Sequence, residues 1–326
     1  MSVAVLILAG LALLALGGEL LVRGAVGIAE KLGVSPLLAG LTIVGFGTSM
    51  PELATSIQAA FAGSSDIAVG NVVGSNIANI ILILGVTAVI LPLAANRAAF
   101  KRDGIALAAS SLAALACVLA GGIGRIAGIA LIAALIGYIL WAYLSERQSG
   151  DAAAQMHEAL ATDAVAAPAT PLSKGTPALA VMTIAGIAAA IYGAGLLVEG
   201  AIALAQGWGV SEAVIGLTIV AVGTSLPELV ACVVAALRGH GDVALGNVVG
   251  SNIYNVFGIL GITALVQPLA VPQQIAALDI WVLLGVTALL LLFLRTGWTL
   301  KRWEGAVFLA LYAGYTALLF LAPAAA

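Results

Sequence analysis

Two glutamates in strongly apolar surroundings are the residues of this sequence with the clearest chemical potential. Glu52 lies in the stretch GFGTSMPEL and Glu228 in AVGTSLPEL. The asparagines Asn79 and Asn255 follow them at the same offset, since 228 − 52 and 255 − 79 both equal 176. A carboxylate at membrane depth is costly to bury, so its presence indicates a function. Two copies of one such site indicate a transporter built from internal repeats.

Hydroxyl and amide side chains accompany each glutamate at helical spacing. Thr48 and Ser49 precede Glu52 by four and three residues, so the three share one helix face. Ser75 lies one turn before Asn79. Glu52 and Asn79 each lie about a dozen residues from an intervening turn near Ser64–Asp66, which predicts equal depth in a helical hairpin. The second copy repeats the set with Thr224, Ser225, Glu228, Ser251 and Asn255.

Proline and glycine next to the first glutamate predict additional oxygen ligands. Pro51 lacks a backbone N–H and disturbs the helical hydrogen bonds around it, and Gly45 and Gly47 lie just before it. We expect this break to free backbone carbonyl oxygens near Gly45. A site made of carboxylate, hydroxyl, amide and carbonyl oxygens suits a hard cation such as Na⁺ or Ca²⁺. Softer metals would require thiolate or imidazole ligands, which this pattern lacks.

The composition places these residues in a membrane protein. Hydrophobic residues make up 63% of the chain and charged residues 8%, and the mean hydropathy is +1.18. A soluble domain carries roughly a quarter charged residues, so a water-soluble fold is excluded. The net charge is −3 and no basic cluster is present, so we expect no nucleic-acid partner.

We predict an all-α membrane protein with ten transmembrane helices arranged as two inverted five-helix repeats. Each predicted span has about 20 or more residues. The first repeat is residues 1–145, the second is 177–326, and the polar stretch 146–176 is predicted to be a cytoplasmic linker. The approximate spans are 2–30, 36–62, 67–92, 103–121, 124–144, 177–206, 212–237, 242–267, 276–295 and 303–322.

Lysine and arginine positions predict the orientation, because cytoplasmic connections carry an excess of both. If the N-terminus is outside, only Arg125 falls in an outside connection. The inside connections then carry Lys31, Arg97, Lys101, Arg102, Arg147, Lys174, Arg238, Arg295, Lys301 and Arg302. Both termini are therefore predicted outside. Because each repeat has an odd number of spans, the second repeat enters the membrane upside down.

Each of these features also has an ordinary structural explanation. Ser and Thr in membrane helices commonly bond their own backbone, and Pro often only kinks a helix. The recurrence of the whole set at one offset favours the functional interpretation. Asp66 and Asp242 also recur, but they fall at turns, and we predict that they are helix N-caps. Glu19 and Arg23 are four residues apart and are predicted to pair with each other.

The motifs GTSMPE with GNVVGSNIANI, and GTSLPE with GNVVGSNIYNV, resemble the paired alpha-repeats of the sodium/calcium exchanger (cation/calcium antiporter) superfamily. The resemblance covers both halves and the ten-span layout. It implies that Glu52 and Glu228 are the central ligands and that Thr48 and Thr224 add oxygens to the calcium site. It implies as further ligands Ser49, Ser75, Asn79, Ser225, Ser251 and Asn255, with backbone oxygens near Gly45 and Ala221 flanking the site.

The function implied is a prokaryotic Na⁺/Ca²⁺ antiporter of the cell (inner) membrane that works by alternating access, with spans one and six as the moving pair. The alternative is another cation antiporter on the same scaffold, with Ca²⁺/H⁺ or K⁺-dependent exchange. The Asn-Ala-Thr-Glu motif of the calcium/proton branch is absent, and Asn255 stands where some family members, including potassium-dependent ones, carry Asp.

An enzyme is not expected, because no His or Cys is placed for catalysis. We expect no cofactor and no protein partner; the expected partners are Na⁺, Ca²⁺ and membrane lipid.

Overall fold

The computed structural model describes residues 2–33, 45–95, 97–149, 176–237 and 241–321, which are mostly helical. The helices are α1 (Val3–Lys31), α2 (Gly45–Thr48), α3 (Met50–Phe61), α4 (Ser65–Ile77), α5 (Leu84–Ile90), α6 (Arg97–Leu119), α7 (Arg125–Ser149), α8 (Thr176–Trp208), α9 (Glu212–Ile215), α10 (Ala221–Thr224), α11 (Leu226–Leu237), α12 (Gly241–Ile253), α13 (Gly261–Val266), α14 (Ile280–Arg295) and α15 (Arg302–Leu321). Wider π-helical turns occupy Ala78–Ile83, Gly216–Val220, Tyr254–Leu260 and Ile275–Asp279.

Within these ranges, eight continuous helical stretches are long and apolar enough to cross a membrane. They are Val3–Ala29, Ser65–Ile90, Phe100–Leu119, Arg125–Ser145, Thr176–Trp208, Val243–Val266, Ile275–Arg295 and Arg302–Leu321. A ninth candidate is the pair Glu212–Thr224 and Leu226–Leu237, bent by 44°. The predicted second span, 36–62, falls partly on residues 34–44, outside the described residues. Most of the predicted linker, at 150–175, also lies outside them.

The second half of the chain repeats the elements of the first half at the same sequence offset of 176 residues. Helix α11 corresponds to α3 and α12 to α4, with both ends shifted by 176 positions (226 − 50 and 237 − 61; 241 − 65 and 253 − 77). In each half a π-helical turn follows directly, at Ala78–Ile83 and at Tyr254–Leu260. The repeated sequence therefore folds into repeated local structure.

Short strands in the connections tie the two halves together. Strand β1 (Leu93–Ala94) pairs antiparallel with β4 (Thr299–Leu300), and β2 (Gly122–Ile123) pairs with β3 (Leu269–Ala270). The prediction of an all-α protein missed these strands. They form because the backbone N–H and C=O groups of the connecting segments need hydrogen-bond partners wherever the two halves meet.

Glycines allow the two halves to touch backbone to backbone near the repeated motifs. A Cβ atom on Gly74 of α4 would lie 2.6 Å from the carbonyl oxygen of Leu217 and 2.9 Å from the Cβ of Ala221. A Cβ on Gly17 of α1 would lie 2.8 Å from the carbonyl oxygen of Gly186 in α8. Only glycine permits such close helix contact, which brings the motif of one half directly against that of the other.

The structure tests two smaller predictions about charged residues. Arg23 pairs with Glu19, as predicted. The prediction that Asp66 is a helix N-cap is wrong, because α4 begins at Ser65 with Ser64 as its N-cap and Asp66 lies in the first turn. Asp242 is likewise the second residue of α12 rather than the residue before it. An acidic residue in the first turn still interacts favourably with the helix dipole.

Candidate ion-binding site

The two glutamates lie just after a break in the helix, one in each repeat. Ser49 separates α2 from α3 with φ −88° and ψ 10°, and Ser225 separates α10 from α11 with φ −85° and ψ 7°. These values fall in the sparsely populated bridge region of backbone space. The predicted break is therefore present, at the serine rather than near Gly45. It places Glu52 and Glu228 in the first turns of α3 and α11.

Both carboxylates are buried inside the protein. Glu52 is 0% exposed and Glu228 is 1% exposed. The Oγ of Ser225 donates a 2.8 Å hydrogen bond to Oε1 of Glu52, so a serine of the second repeat contacts the glutamate of the first. The second oxygen of Glu52 and both oxygens of Glu228 have no hydrogen-bond partner among the described residues. Three carboxylate oxygens are thus buried without a donor.

The two asparagines come from the π-helical turns of the opposite repeats. Helix α3, with Glu52, contacts Tyr254–Leu260, which contains Asn255, and α11 contacts Ala78–Ile83, which contains Asn79. Both asparagines are buried, and both use the Nδ2 group to donate to another asparagine. Within the part of the chain that the structure describes, both Oδ1 atoms lack a hydrogen-bond partner.

Among the hydroxyl groups of the predicted site, some lack a hydrogen-bond partner and others already donate a hydrogen bond. The buried Oγ of Ser49 has no partner in the described ranges. Ser75 Oγ donates to the carbonyl oxygen of Ala221 at 3.3 Å, and Thr224 Oγ1 donates to Oδ1 of Asn71 at 3.1 Å. The carbonyl oxygen of Ala221 also accepts from the backbone N–H of Ser225 at 3.1 Å. In this conformation the Ala221 oxygen is already hydrogen-bonded rather than free.

The remaining predicted site residues are less informative. Ser251, the counterpart of Ser75, is buried. Gly45 is the first residue of α2, four positions before the helix break. The side chain of Thr48 lies outside the described part of the structure.

The two glutamates of this cluster, Glu52 and Glu228, have no cationic side chain beside them among the described residues. Within those residues Arg23 pairs with Glu19 and Arg102 with Asp103. A buried charge without a partner is strongly destabilising. Two carboxylates carry −2, which one Ca²⁺ or two Na⁺ would balance. The free oxygens around them are the ligands that such hard cations prefer.

Sequence reasoning missed three asparagines next to the site. Asn71 donates through Nδ2 to the carbonyl oxygen of Glu52 at 3.2 Å and to Ser56 Oγ at 3.0 Å. Asn76 and Asn252 are the hydrogen-bond partners of the two site asparagines. A signal was available, because the repeated GNVVGSN motif contains two further asparagines in each copy. Spacing alone could not show which of the asparagines face the glutamates and which support them.

Comparison with known proteins gives a consistent result over nearly the whole chain. The profile of the family described as sodium/calcium exchanger protein matches residues 2–144 and 178–321. The sodium/calcium exchanger MaX1 of Methanosarcina acetivorans is 37% identical, with 97% of each chain covered. The inner membrane protein YrbG of Escherichia coli is 34% identical, over 81% of this chain and 79% of YrbG.

A solved structure with the same fold gives independent support. It is a structure of the sodium-calcium exchanger NCX_Mj soaked with 2.5 mM Na⁺ and 0.1 mM Ca²⁺, from work on extracellular ion exchange and binding-site occlusion. The TM-score is 0.62 and the sequence identity is 32%, with 97% of this chain and 99% of that chain covered.

Proposed function

The chain belongs to the sodium/calcium exchanger family, and on that basis we propose that it exchanges Na⁺ for Ca²⁺ across the membrane by alternating access. Family membership makes it a multi-pass membrane protein and a cation/Ca²⁺ antiporter rather than an enzyme, as predicted. The finer statement, that Na⁺ is the counter-ion, is supported by the relatives named as sodium/calcium exchangers.

The observation that carries the proposal is the set of buried oxygens without donors around the two glutamates. It comprises Glu52 Oε2, Glu228 Oε1 and Oε2, Ser49 Oγ, Asn79 Oδ1 and Asn255 Oδ1, all without partners among the described residues. Buried polar atoms in native proteins are nearly always satisfied, so such a group indicates a missing ligand. Each atom offers oxygen lone pairs, which are the ligands that Na⁺ and Ca²⁺ prefer.

The ions would share this cluster. Glu52 and Glu228 would be the central ligands for Ca²⁺, with Thr48 and Thr224 adding oxygens. Further ligands for Ca²⁺ or Na⁺ would be Ser49, Ser75, Asn79, Ser225, Ser251 and Asn255, flanked by backbone oxygens near Gly45 and Ala221. The carbonyl oxygen of Ala221 would have to exchange a protein donor for the ion. Three Na⁺ in place of one Ca²⁺ would leave +1 on the site and make the exchange electrogenic.

Alternating access follows from the same electrostatics. An empty site carries two uncompensated carboxylates, and enclosing them away from water is unfavourable. Occupation by Ca²⁺ or by Na⁺ neutralises them and permits the change between inward-open and outward-open states. Helices α1 and α8 are the proposed moving pair. They pack against each other along their length, and α8 also contacts α3, the helix that carries Glu52.

We further propose ten spans in two inverted repeats, with both termini outside and the chain in the inner membrane. The distribution of lysine and arginine supports this orientation. The strand pairs agree with it, because β1 and β4 lie in connections that are both predicted cytoplasmic and β2 and β3 in connections that are both predicted outside. YrbG, named as an inner membrane protein, supports the location.

The function can be tested by Ca²⁺ uptake into proteoliposomes. Vesicles loaded with Na⁺ and diluted into Na⁺-free medium should accumulate radioactive Ca²⁺, whereas vesicles loaded with choline should not. Uptake should persist without K⁺ and after a proton ionophore has collapsed the pH gradient. Uptake that occurs only with K⁺, or that a pH gradient drives without Na⁺, would instead establish one of the alternative antiport reactions.

A further inference from the structure

A symmetrical set of amide hydrogen bonds joins the two repeats next to the site. Asn76 Nδ2 donates to the backbone carbonyl oxygen of Asn252 at 3.2 Å, and Asn252 Nδ2 donates to that of Asn76 at 3.3 Å. Asn79 Nδ2 donates to Asn252 Oδ1, and Asn255 Nδ2 donates to Asn76 Oδ1, both at 2.9 Å. All four side chains are at least 99% buried, so bulk water does not compete for these bonds.

The two backbone carbonyls determine the direction of every amide in this set. A carbonyl oxygen only accepts hydrogen bonds, so it must face the NH₂ end of the asparagine opposite. Asn76 and Asn252 therefore direct their Oδ1 atoms away from these carbonyls. An Oδ1 atom also only accepts, so it selects the NH₂ ends of Asn255 and Asn79. This leaves Oδ1 of Asn79 and Asn255 as the free ends of the network.

We propose that Asn76 and Asn252 are positioning residues of the ion site, which hold Asn255 and Asn79 with oxygen rather than NH₂ turned toward the transported cation. This inference rests on the proposed function. An amide oxygen is a ligand for Na⁺ and Ca²⁺, whereas an NH₂ group only donates and would repel the ion. Asn76 and Asn252 act through the two site asparagines and are not themselves ligands.

The chemistry of asparagine explains why this residue type occupies both positions. Each side chain must donate to a carbonyl on one side and accept an N–H on the other, within one short planar group. An ionised aspartate could accept but not donate, and leucine, with a similar shape, could do neither. The role also crosses between the repeats, because Asn76 orients Asn255 and Asn252 orients Asn79.

The test uses Na⁺-driven Ca²⁺ uptake by full-length protein in proteoliposomes. In Asn252→Leu, Asn79 loses its acceptor and can rotate its NH₂ toward the ion. We expect the KM for Ca²⁺ to rise about 10- to 100-fold, as is typical when the support of a metal ligand is removed. Uptake at saturating Ca²⁺ should remain, because Glu52 and Glu228 are intact. An unchanged KM overturns the inference.

A rescue experiment separates positioning from a merely structural role. Asp in place of Asn79 presents oxygen in both orientations, so adding Asn252→Leu to Asn79→Asp should not raise the KM above that of Asn79→Asp. The matched control is Asn76→Leu with Asn79→Asp, in which Asn255 is the amide released, and its KM should still rise. Equal losses in the two combinations would contradict the proposal.

A second substitution keeps the test decisive if the leucine variants do not fold. Asn252→Ala removes the acceptor of Asn79 without introducing a bulky side chain. It should raise the KM in the same way, and an unchanged KM would again count against positioning. Loss of Na⁺-driven uptake in the unmodified protein would refute the proposed function itself, an outcome distinct from unchanged kinetics in the variants.

Discussion

The two repeats carry nearly the same motif, yet they hold their glutamates differently. Glu52 accepts a hydrogen bond from Ser225, and the helix that carries it is covered by α8. Glu228 has no comparably short hydrogen bond among the described residues, although Ser49, the counterpart of Ser225, lies near enough to interact with it. On its helix, Val230 is 61% exposed, whereas Ala54, at the equivalent position of the first repeat, is 7% exposed. Helix α3 is therefore covered at a position where α11 is exposed, although both carboxylates are buried.

The difference shows that the motif determines which groups form the site, while the surrounding helices determine how each group is satisfied. Two inverted copies cannot have identical surroundings in any single state of a transporter that opens to one side at a time. In the opposite state, inverted-repeat symmetry exchanges the surroundings of the two copies. The proposed alternating access would produce an asymmetry of this kind between Glu52 and Glu228.

The comparison of the two repeats requires that they cross the membrane in opposite directions. Cysteine labelling tests this orientation with an all-or-none result. Ala120 and Thr296 occupy equivalent positions, since 296 − 120 equals 176, and both are exposed at the end of a span. In a background without Cys117 and Cys232, Ala120→Cys should react with an impermeant thiol reagent only from outside. Thr296→Cys should react only from the cytoplasmic side. Labelling of both from one side would break the comparison.

A smaller expected effect is the loss of stability when the asparagine that supports each half of the site is removed. Asn71 is fully buried and bonds Glu52 O, Ser56 Oγ and Thr224 Oγ1, whereas its counterpart Asn247 is half-buried and bonds the Sγ of Cys232 at 3.5 Å. We expect Asn71→Ala to lower the free energy of unfolding by about 2–3 kcal/mol.

The matched variant Asn247→Ala should lower the free energy of unfolding by about 1 kcal/mol or less, because a weak hydrogen bond to sulfur is lost at a more accessible position. Thermal unfolding of the purified proteins in the same detergent measures both. Equal losses of stability would show that the two halves are supported alike, contrary to the asymmetry described above.

Much of the site could be predicted because the repeat is unusually regular. One offset of 176 residues identified Glu52 and Glu228 together with the hydroxyl and amide residues around them. The helix break was predictable from Pro51, since proline removes a backbone donor wherever it lies in a helix. The pairing of Glu19 with Arg23 was predictable because it depends only on local helical spacing.

Other features depend on contacts that spacing does not encode. The π-helical turns at Ala78–Ile83 and Tyr254–Leu260 arise where helices of the two repeats interlock, and their sequences look like ordinary apolar helix. The hydrogen bonds on the carbonyl oxygen of Ala221 come partly from Ser75, which is 146 residues away. The N-cap prediction for Asp66 failed because a turn of known location still leaves the first helical residue uncertain by one or two positions.

The most direct test of the central claim is Na⁺-driven Ca²⁺ uptake by Glu52→Gln and Glu228→Gln. Each substitution removes one unit of charge from a buried site that must balance a divalent ion, while the shape of the side chain is kept. The matched control is Asp279→Asn, which neutralises a fully buried carboxylate outside the cluster and keeps an acceptor for the hydroxyl of Tyr315.

The account predicts that both glutamine variants insert normally and take up no more Ca²⁺ than liposomes without protein, while Asp279→Asn retains Na⁺-driven uptake. Uptake like that of the unmodified protein in either glutamine variant would contradict the assignment of Glu52 and Glu228 to the ion site.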